Sequence, residues 1–330
     1  MDLHEITGVL TPRAAEARPR IALGTMNFGK RTPSAESERI VRRALERGVS
    51  IFDTANVYND GESERILGRA LGASRGASLV ASKVGLGRVG RAAEGLSRAA
   101  IERAIEGSLE RLGTNYLDVY YLHAPDRATP IEETLDAMHA LLDSGRVRAW
   151  GISNYASWQI LETMNLADAR KMPRPAISQV IYNLLIRQIE VEYVAFTRRY
   201  PIHNTVYNGL AGGLLSGKYA LGATLESDSV RGSRFDTNPM YQRRYWTEKM
   251  FDRVAALSGV AMAEGLSLVE LSYAWLAGRP GVDSILVGPA TTSQLDVVLD
   301  ACDRYLSPDA IATIDSAYKA WMGTDTHYVR

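Results

Sequence analysis

Short apolar runs alternate along the chain with longer stretches whose apolar residues recur at helical spacing, and this alternation repeats about eight times. Strands that alternate with helices predict parallel strands joined by helical crossovers. The predicted strands are residues 21–24, 49–53, 78–83, 117–122, 147–152, 176–181, 201–207 and 284–288. Eight strands favour a closed barrel over an open sheet. The pattern therefore predicts an α/β fold, a (β/α)8 TIM barrel.

The stretches between the strands carry helix signals. The stretch that opens at Pro33 places Ile40 and Ala44 on one face, and Gly48 follows where a helix C-terminal cap would lie. Three further stretches have the same pattern, and they cover residues 96–112, 131–142 and 156–166. Each is long enough to cover a pair of strands.

The alternation breaks at residues 209–246, where Gly, Ser, Asp, Arg and Asn cluster over a stretch too long for an ordinary connection. Loops of this length usually form lids or binding loops. Residues 323–330 form a second irregular segment, and residues 1–19 form an N-terminal extension. No linker rich in Pro, Gly or Ser divides the chain. We expect one barrel domain over residues 1–330, with the long loop and the C-terminal tail over the active site.

Composition limits the classes of protein to consider. The chain has 330 residues, 46% of them apolar and 23% charged, which excludes a disordered or fibrous protein. Lys+Arg and Asp+Glu both number 38, so a net charge of zero gives no general reason to expect nucleic acid or a membrane as partner. The single cysteine, Cys302, excludes an intramolecular disulfide, and residues 1–19 do not resemble a signal peptide. We expect a cytoplasmic protein.

Polar residues collect at the C-terminal ends of the predicted strands, which is where barrels of this kind carry their chemistry. Asp53 and Lys83 end the second and third strands, His123 follows the fourth, and Tyr58 lies five residues after Asp53. Taken singly, each is more often structural, since a strand-end aspartate usually caps a helix and a tyrosine usually packs. The set of four is more specific than its members.

These four residues have the chemistry to protonate an alkoxide as it forms. A tyrosine has an ordinary pKa of ~10, so it donates a proton near neutrality only if its phenolate is stabilised. The Lys83 ammonium would provide that stabilisation, and Asp53 would keep the ammonium charged and oriented. His123 would donate a hydrogen bond to a carbonyl oxygen.

The order of these residues resembles the catalytic tetrad of the aldo-keto reductases, and the surrounding motifs match that family from about residue 21 onwards. The closest resemblance is to the branch of aflatoxin aldehyde reductases and succinic semialdehyde reductases. The matching motifs are GTMNFG at 24–29, DTANVY at 53–58, GESE at 61–64, GISNY at 151–155, LAGGLLSGKY at 210–219, LHAPD at 122–126 and YQRRYW at 241–246.

The resemblance implies an NADPH cofactor bound in extended form. It assigns the nicotinamide to Ser153, Asn154, Gln179 and Tyr207. It assigns the pyrophosphate and the rest of the cofactor to Asn208, Gly209, Leu210, Gly212, Gly213, Leu214, Gly217, Lys218, Arg234, Gly288, Thr291, Thr292 and Gln294. The basic residue that the family often places after the last strand is absent here, so NADH is the alternative. No metal site is predicted.

For the substrate, the resemblance assigns Met26, His123, Arg244 and the terminal Arg330. Two arginines that converge on one pocket would suit a carboxylate. The resemblance also implies a homodimer. We expect reduction of an aldehyde, carboxylate-bearing or not, or of a ketone, with Tyr58 as general acid. The alternatives are a ketoreductase of a biosynthetic sugar or polyketide intermediate and a non-enzymatic, cofactor-binding regulatory subunit.

Overall fold

The computed structural model describes residues 3–14, 17–89, 92–219 and 222–323. Eight parallel strands close into a barrel in which each strand pairs with its neighbours along the chain, and the first pairs with the last. They are β1 Arg20–Gly24, β2 Ile51–Asp53, β3 Leu79–Val84, β4 Leu117–Leu122, β5 Val147–Ser153, β6 Ile177–Ile181, β7 His203–Tyr207 and β8 Ser284–Val287. The predicted barrel is confirmed, and every strand end lies within two residues of its predicted position.

Helices cover the outside of the barrel. They are α1 Leu3–Leu10, α2 Ser34–Glu46, α3 Glu62–Leu71, α4 Arg98–Leu112, α5 Ile131–Asp143, α6 Ser157–Ala169, α7 Tyr193–Arg199, α8 Pro239–Tyr245, α9 Glu248–Ala263, α10 Leu268–Gly278, α11 Thr292–Cys302 and α12 Pro308–Met322. The four helices predicted from apolar spacing are α2, α4, α5 and α6. Strands β5 and β6 approach so closely at Gly151 that only glycine fits there, because a Cβ would lie 2.7 Å from the carbonyl oxygen of Ile177 on β6.

The extension before β1 closes the N-terminal end of the barrel. Helix α1 buries Ile6 and Leu10 against a barrel-interior cluster that includes Ile51, Leu79 and Val119. Ile51 and Leu79 begin their strands, so this contact lies at the opposite end from the C-terminal strand ends. Solvent therefore has access to the polar interior chiefly from the C-terminal end.

The main hydrophobic core lies between the barrel and its helices. Helix α10 is buried along most of its length and contacts both α9 and α11. In the part of the chain that the structure describes, no single helix combines the length and the apolar character needed to cross a membrane. Helices α9 and α10 meet that test only as a pair, across a bend of 86°.

The segment 209–246, expected to be irregular throughout, contains ordered elements. It includes the 3-10 turns Ala211–Ser216 and Asp228–Val230 as well as helix α8. Five aromatic side chains hold it together, with ring centroids 4.8 to 6.4 Å apart, and these are Tyr219, Phe235, Tyr241, Tyr245 and Trp246. The expectation of a continuous loop is wrong for residues 239–245. The tail residues 324–330, with Arg330, lie outside the described residues.

Candidate active site

The barrel brings the four residues of the predicted tetrad to one end of three neighbouring strands. Asp53 is the last residue of β2, Lys83 lies near the end of β3, and His123 follows β4 directly. Strands β2, β3 and β4 are parallel neighbours, so their C-terminal ends meet at the same edge. Tyr58 lies in the loop after β2, where the backbone turns into a short 3-10 helix.

Lys83 is fully buried and is held by two oxygen atoms. Its ammonium donates hydrogen bonds to Oδ1 of Asp53 and, at 2.7 Å, to the carbonyl oxygen of Thr54. Burial lowers the pKa of Lys83, but the charge of Asp53 and the hydroxyl of Tyr58 raise it, and the net shift is upward. Lys83 is therefore a buried cation, and it owes its charge to its partners.

Tyr58 faces that cation. The Lys83 ammonium lies 5.2 Å from the centre of the Tyr58 ring and interacts with its hydroxyl. Burial raises the pKa of Tyr58 and Lys83 opposes the rise, and the net pKa lies above the ordinary value. Tyr58 thus holds its proton at neutral pH, beside a cation that favours the phenolate once the proton has left.

His123 completes the group as a neutral side chain. Its ring centre lies 6.0 Å from that of Tyr58, with the rings nearly perpendicular at 79°. Burial, together with the charge of Lys83, lowers the pKa of His123 to about 3. Its Nδ1 atom is buried without a hydrogen-bond partner among the residues described. A neutral imidazole here can donate one hydrogen bond to a carbonyl oxygen without adding charge.

The residues assigned to the nicotinamide lie together at the ends of β5, β6 and β7. Asn154 adopts a φ of 64°, which asparagine tolerates better than most residues, and its amide donates to the carbonyl oxygen of His123 at 2.9 Å. The Tyr207 hydroxyl donates to Oδ1 of Asn154 at 2.7 Å, and Ser153 donates to the backbone of Gln179 at 3.0 Å. Their role toward a cofactor stays a prediction.

The segment assigned to the pyrophosphate, residues 208–218, turns tightly at its glycines and is called the cradle below. Asn208 accepts a hydrogen bond from the backbone of Gly212 at 2.7 Å. Gly212 has a φ of 72°, and a Cβ there would lie 2.6 Å from the Tyr241 ring, so only glycine fits. A Cβ on Gly213 would meet nothing nearer than 3.9 Å, which leaves space over the backbone. The Leu214 side chain is buried in the core, so only its backbone could face a cofactor.

Cations without carboxylate partners surround this cradle. In the described segments, no ion pair to a carboxylate involves Lys218, Arg234 or Arg244. Sequence reasoning missed Arg31, which donates to the carbonyl oxygens of Gly232 and Ser233. Burial lowers the pKa of Arg31, and the nearby charge of Arg234 lowers it further. Paired guanidinium groups of this kind fit the phosphates of a dinucleotide.

The residues assigned to the adenosine end lie where α11 begins, and their polar groups bond within the protein. Thr291 accepts from the backbone of Gln294 at 3.2 Å, and the Gln294 side chain accepts from the backbone of Ala290 at 2.8 Å. The backbone N–H of Thr292 donates to Glu36 at 2.9 Å. This carboxylate, 256 residues away in sequence, was not predicted. Its other oxygen pairs with Arg39, and the carboxylate occupies the start of the helix, where an anion would otherwise bind.

Apolar side chains and one arginine surround the tetrad. Met26, Val57 and Leu86 follow β1, β2 and β3, and each is more than a third exposed. Arg244 is half-buried on α8, and its charge lowers the pKa of Tyr207 and Tyr245 against the upward effect of their burial. Arg330, assigned to the substrate by resemblance, lies outside the described residues.

A hairpin next to the tetrad is held by two carboxylates that sequence reasoning missed. Its strands are Arg88–Val89 and Ala92–Ala93. Glu94 accepts from the Asn56 side chain at 2.6 Å and from the backbones of Gly85 and Gly87 at 2.8 and 3.2 Å. Asp126 accepts from the backbone of Leu96 at 2.8 Å. The two carboxylates thus attach residues 85–89 and 92–96 to the loops that carry Tyr58 and His123.

Comparison with known proteins agrees with this geometry. Residues 20–319 match the model of the Aldo/keto reductase family. The chain is 34% identical to "Aldo-keto reductase family 7 member A3" of Homo sapiens, covering 94% of this chain and 96% of that protein. It is 35% identical to "Aflatoxin B1 aldehyde reductase member 2" of Mus musculus, covering 93% and 87%. It is also 33% identical to "Probable voltage-gated potassium channel subunit beta" of Oryza sativa subsp. japonica, covering 89% and 91%.

Proposed function

The chain belongs to the aldo/keto reductase family and is an oxidoreductase, and we propose that it reduces aldehydes with NADPH as hydride donor and Tyr58 as proton donor. The observation that carries the proposal is the buried Asp53–Lys83 pair beneath a protonated Tyr58. A reductase must place a proton on the oxygen of the carbonyl group as negative charge develops there. Tyr58 has both the proton and the neighbouring cation for that step.

Each residue of the tetrad has a distinct part in this mechanism. NADPH, when bound, supplies the hydride that attacks the carbonyl carbon. His123, neutral because of its low pKa, donates a hydrogen bond that orients the carbonyl oxygen. Tyr58 then transfers its proton to that oxygen, and Lys83 stabilises the phenolate that results. Asp53 keeps Lys83 charged throughout.

The cofactor would lie across the ends of β5 to β8. In this proposal Ser153, Asn154 and Tyr207 would contact the nicotinamide, and the backbone of residues 208–218 would pass along the pyrophosphate. Lys218, Arg31 and Arg234 supply positive charge there. Glu36 is the observation that favours the alternative cofactor, NADH, because a carboxylate at the start of α11 repels an added phosphate.

Among aldehydes, those with a carboxylate suit the site best. Arg244 lies near Tyr207 and has no carboxylate partner in the part of the chain that the structure describes, and the apolar side chains of Met26 and Leu86 suit a short carbon chain. A ketoreductase acting on keto-sugars or polyketide intermediates is the alternative within the fold. A separate alternative, a cofactor-binding regulatory subunit, is favoured by the similarity to proteins named as potassium channel subunits.

Turnover on a carbonyl panel tests these functions against one another. The protein is titrated with NADPH and NADH and then assayed on acidic aldehydes, neutral aldehydes and bulky keto-sugars. We expect the lowest KM for acidic aldehydes, and we expect Arg244→Met to raise that KM at least about fivefold more than the KM for neutral ones. Cofactor binding with negligible turnover on the whole panel would instead support the regulatory subunit.

A further inference from the structure

Gln179 contacts the tetrad from below, through the carboxylate of Asp53. Its side-chain amide donates a hydrogen bond to Oδ2 of Asp53 at 2.9 Å, while Oδ1 of the same carboxylate accepts from Lys83. Gln179 and Asp53 are 4% and 3% exposed, so water does not compete for this contact. The two oxygens of Asp53 are thus divided between a cation and an amide.

Gln179 is itself held in one position. Its backbone carbonyl oxygen accepts from the Ser153 hydroxyl at 3.0 Å and from the Asn154 backbone at 3.1 Å. Its side chain also interacts with the buried hydroxyl of Tyr121, which in turn interacts with Thr205. The backbone contacts fix the start of the side chain, and the contacts with Tyr121 and Asp53 orient its amide.

We propose that Gln179 is a positioning residue for proton transfer, which acts by holding Asp53 so that Lys83 stays charged beside Tyr58. This role rests on the proposed reduction with Tyr58 as acid and differs from nicotinamide binding, which the resemblance assigns to this residue. Lys83 is fully buried and owes its charge to Asp53. Each oxygen of a buried carboxylate needs a partner, and Gln179 supplies the one for Oδ2 of Asp53.

Three other titratable groups face Asp53 and Lys83. They are Tyr58 in the loop after β2, Tyr121 on β4 and His123 after β4, and Arg234 in the long segment acts on Tyr58. Burial keeps Tyr121 and His123 neutral at physiological pH, since it raises the pKa of Tyr121 and lowers that of His123. Among the described residues, neither neutral group donates to Oδ2 of Asp53, and the amide of Gln179 is the donor that this oxygen has there.

Replacing Gln179 with methionine tests this role, because methionine keeps an unbranched side chain but has no donor. Without the donor, Asp53 is no longer held against Lys83, the Lys83 ammonium is less firmly fixed beside Tyr58, and the pKa of Tyr58 rises further. We expect Gln179→Met to lower kcat about tenfold and to move the basic midpoint of the pH profile of alcohol oxidation upward by about one unit. The Kd for NADPH, measured by fluorescence titration, should stay within about twofold.

Two further variants make the result decisive. Ser178→Ala alters the neighbouring residue of β6, whose hydroxyl bonds to Tyr193 on the helix side, and should leave the pH midpoint unchanged. Gln179→Glu restores a donor only while the new carboxyl is protonated, so its activity should fall as pH rises.

The result that overturns the inference is an unchanged pH midpoint in Gln179→Met with a Kd for NADPH raised tenfold, since Gln179 would then simply hold the cofactor. A Gln179→Glu profile like that of the wild type would overturn it as well. Turnover that survives in Tyr58→Phe is a different outcome, because it would remove the proposed function itself.

Discussion

Among single residues, burial leaves Lys83 charged and His123 neutral, and the site depends on this difference. Lys83 and Asp53 are both buried, yet they form an ion pair because each satisfies the other. His123 is nearly as buried and has no such partner among the described residues, so it stays neutral. The same burial therefore gives one permanent cation and one uncharged hydrogen-bond donor within a few ångströms of Tyr58.

Glu36 permits a test of cofactor selectivity at one residue. Glu36→Gln keeps the acceptor for the Thr292 backbone and removes the negative charge. We expect the Kd for NADPH to fall about fivefold relative to the Kd for NADH, because only NADPH carries the additional phosphate. Isothermal titration with both cofactors measures the ratio. If the Kd for NADPH and the Kd for NADH change equally, the additional phosphate of NADPH does not bind near Glu36.

Among the elements, the strands of the barrel could be predicted from the sequence, whereas helix α8 in the long segment could not. Each strand is a short apolar run that alternates with a helical stretch, and this local signal located all eight strands. Helix α8 has seven residues, too few to show a helical period, so residues 239–245 were expected to be loop. The four tetrad residues were found because each lies at or shortly after the C-terminal end of a strand. Glu36 at Thr292 and Gln179 at Asp53 were missed as contacts because they join residues 256 and 126 positions apart.

The hairpin beside the tetrad provides a prediction at this scale. Glu94→Ala removes the acceptor shared by Asn56, Gly85 and Gly87, so the hairpin should loosen. We expect faster amide hydrogen exchange over residues 85–97 and a KM for aldehydes raised about tenfold, with kcat within about threefold of wild type. Glu102→Ala, which removes an exposed ion pair with Arg98 on α4, is the matched control. A kcat loss without a KM change would contradict this role.

At the scale of the whole molecule, two buried histidines link folding to pH. His203 bonds to Ser284 at 2.7 Å inside the barrel, and burial lowers its pKa to about 4 although Asp283 raises it. Burial lowers that of His123 to about 3. Unfolding returns both to ~6.5, so the unfolded chain binds more protons and stability is lost as pH falls below ~6.5.

Thermal unfolding between pH 7 and pH 5 measures this loss. Each histidine should cost about 1 kcal/mol of unfolding free energy per pH unit in that window. His203→Gln retains a polar partner for Ser284 without a titrating group, so its loss between pH 7 and pH 5 should be roughly half that of the wild type. A variant that loses as much stability as the wild type would show that His203 does not carry the effect.

The kcat of Tyr58→Phe with NADPH and an aldehyde measures whether Tyr58 delivers the proton. Tyr120→Phe is the control, because Tyr120 is a buried tyrosine of β4 whose hydroxyl has no hydrogen-bond partner among the described residues. We expect Tyr58→Phe to bind NADPH normally and to lose kcat by at least about 10²-fold, while Tyr120→Phe stays near the wild-type value. A Tyr58→Phe variant that turns over as fast as Tyr120→Phe would show that Tyr58 is not the proton donor.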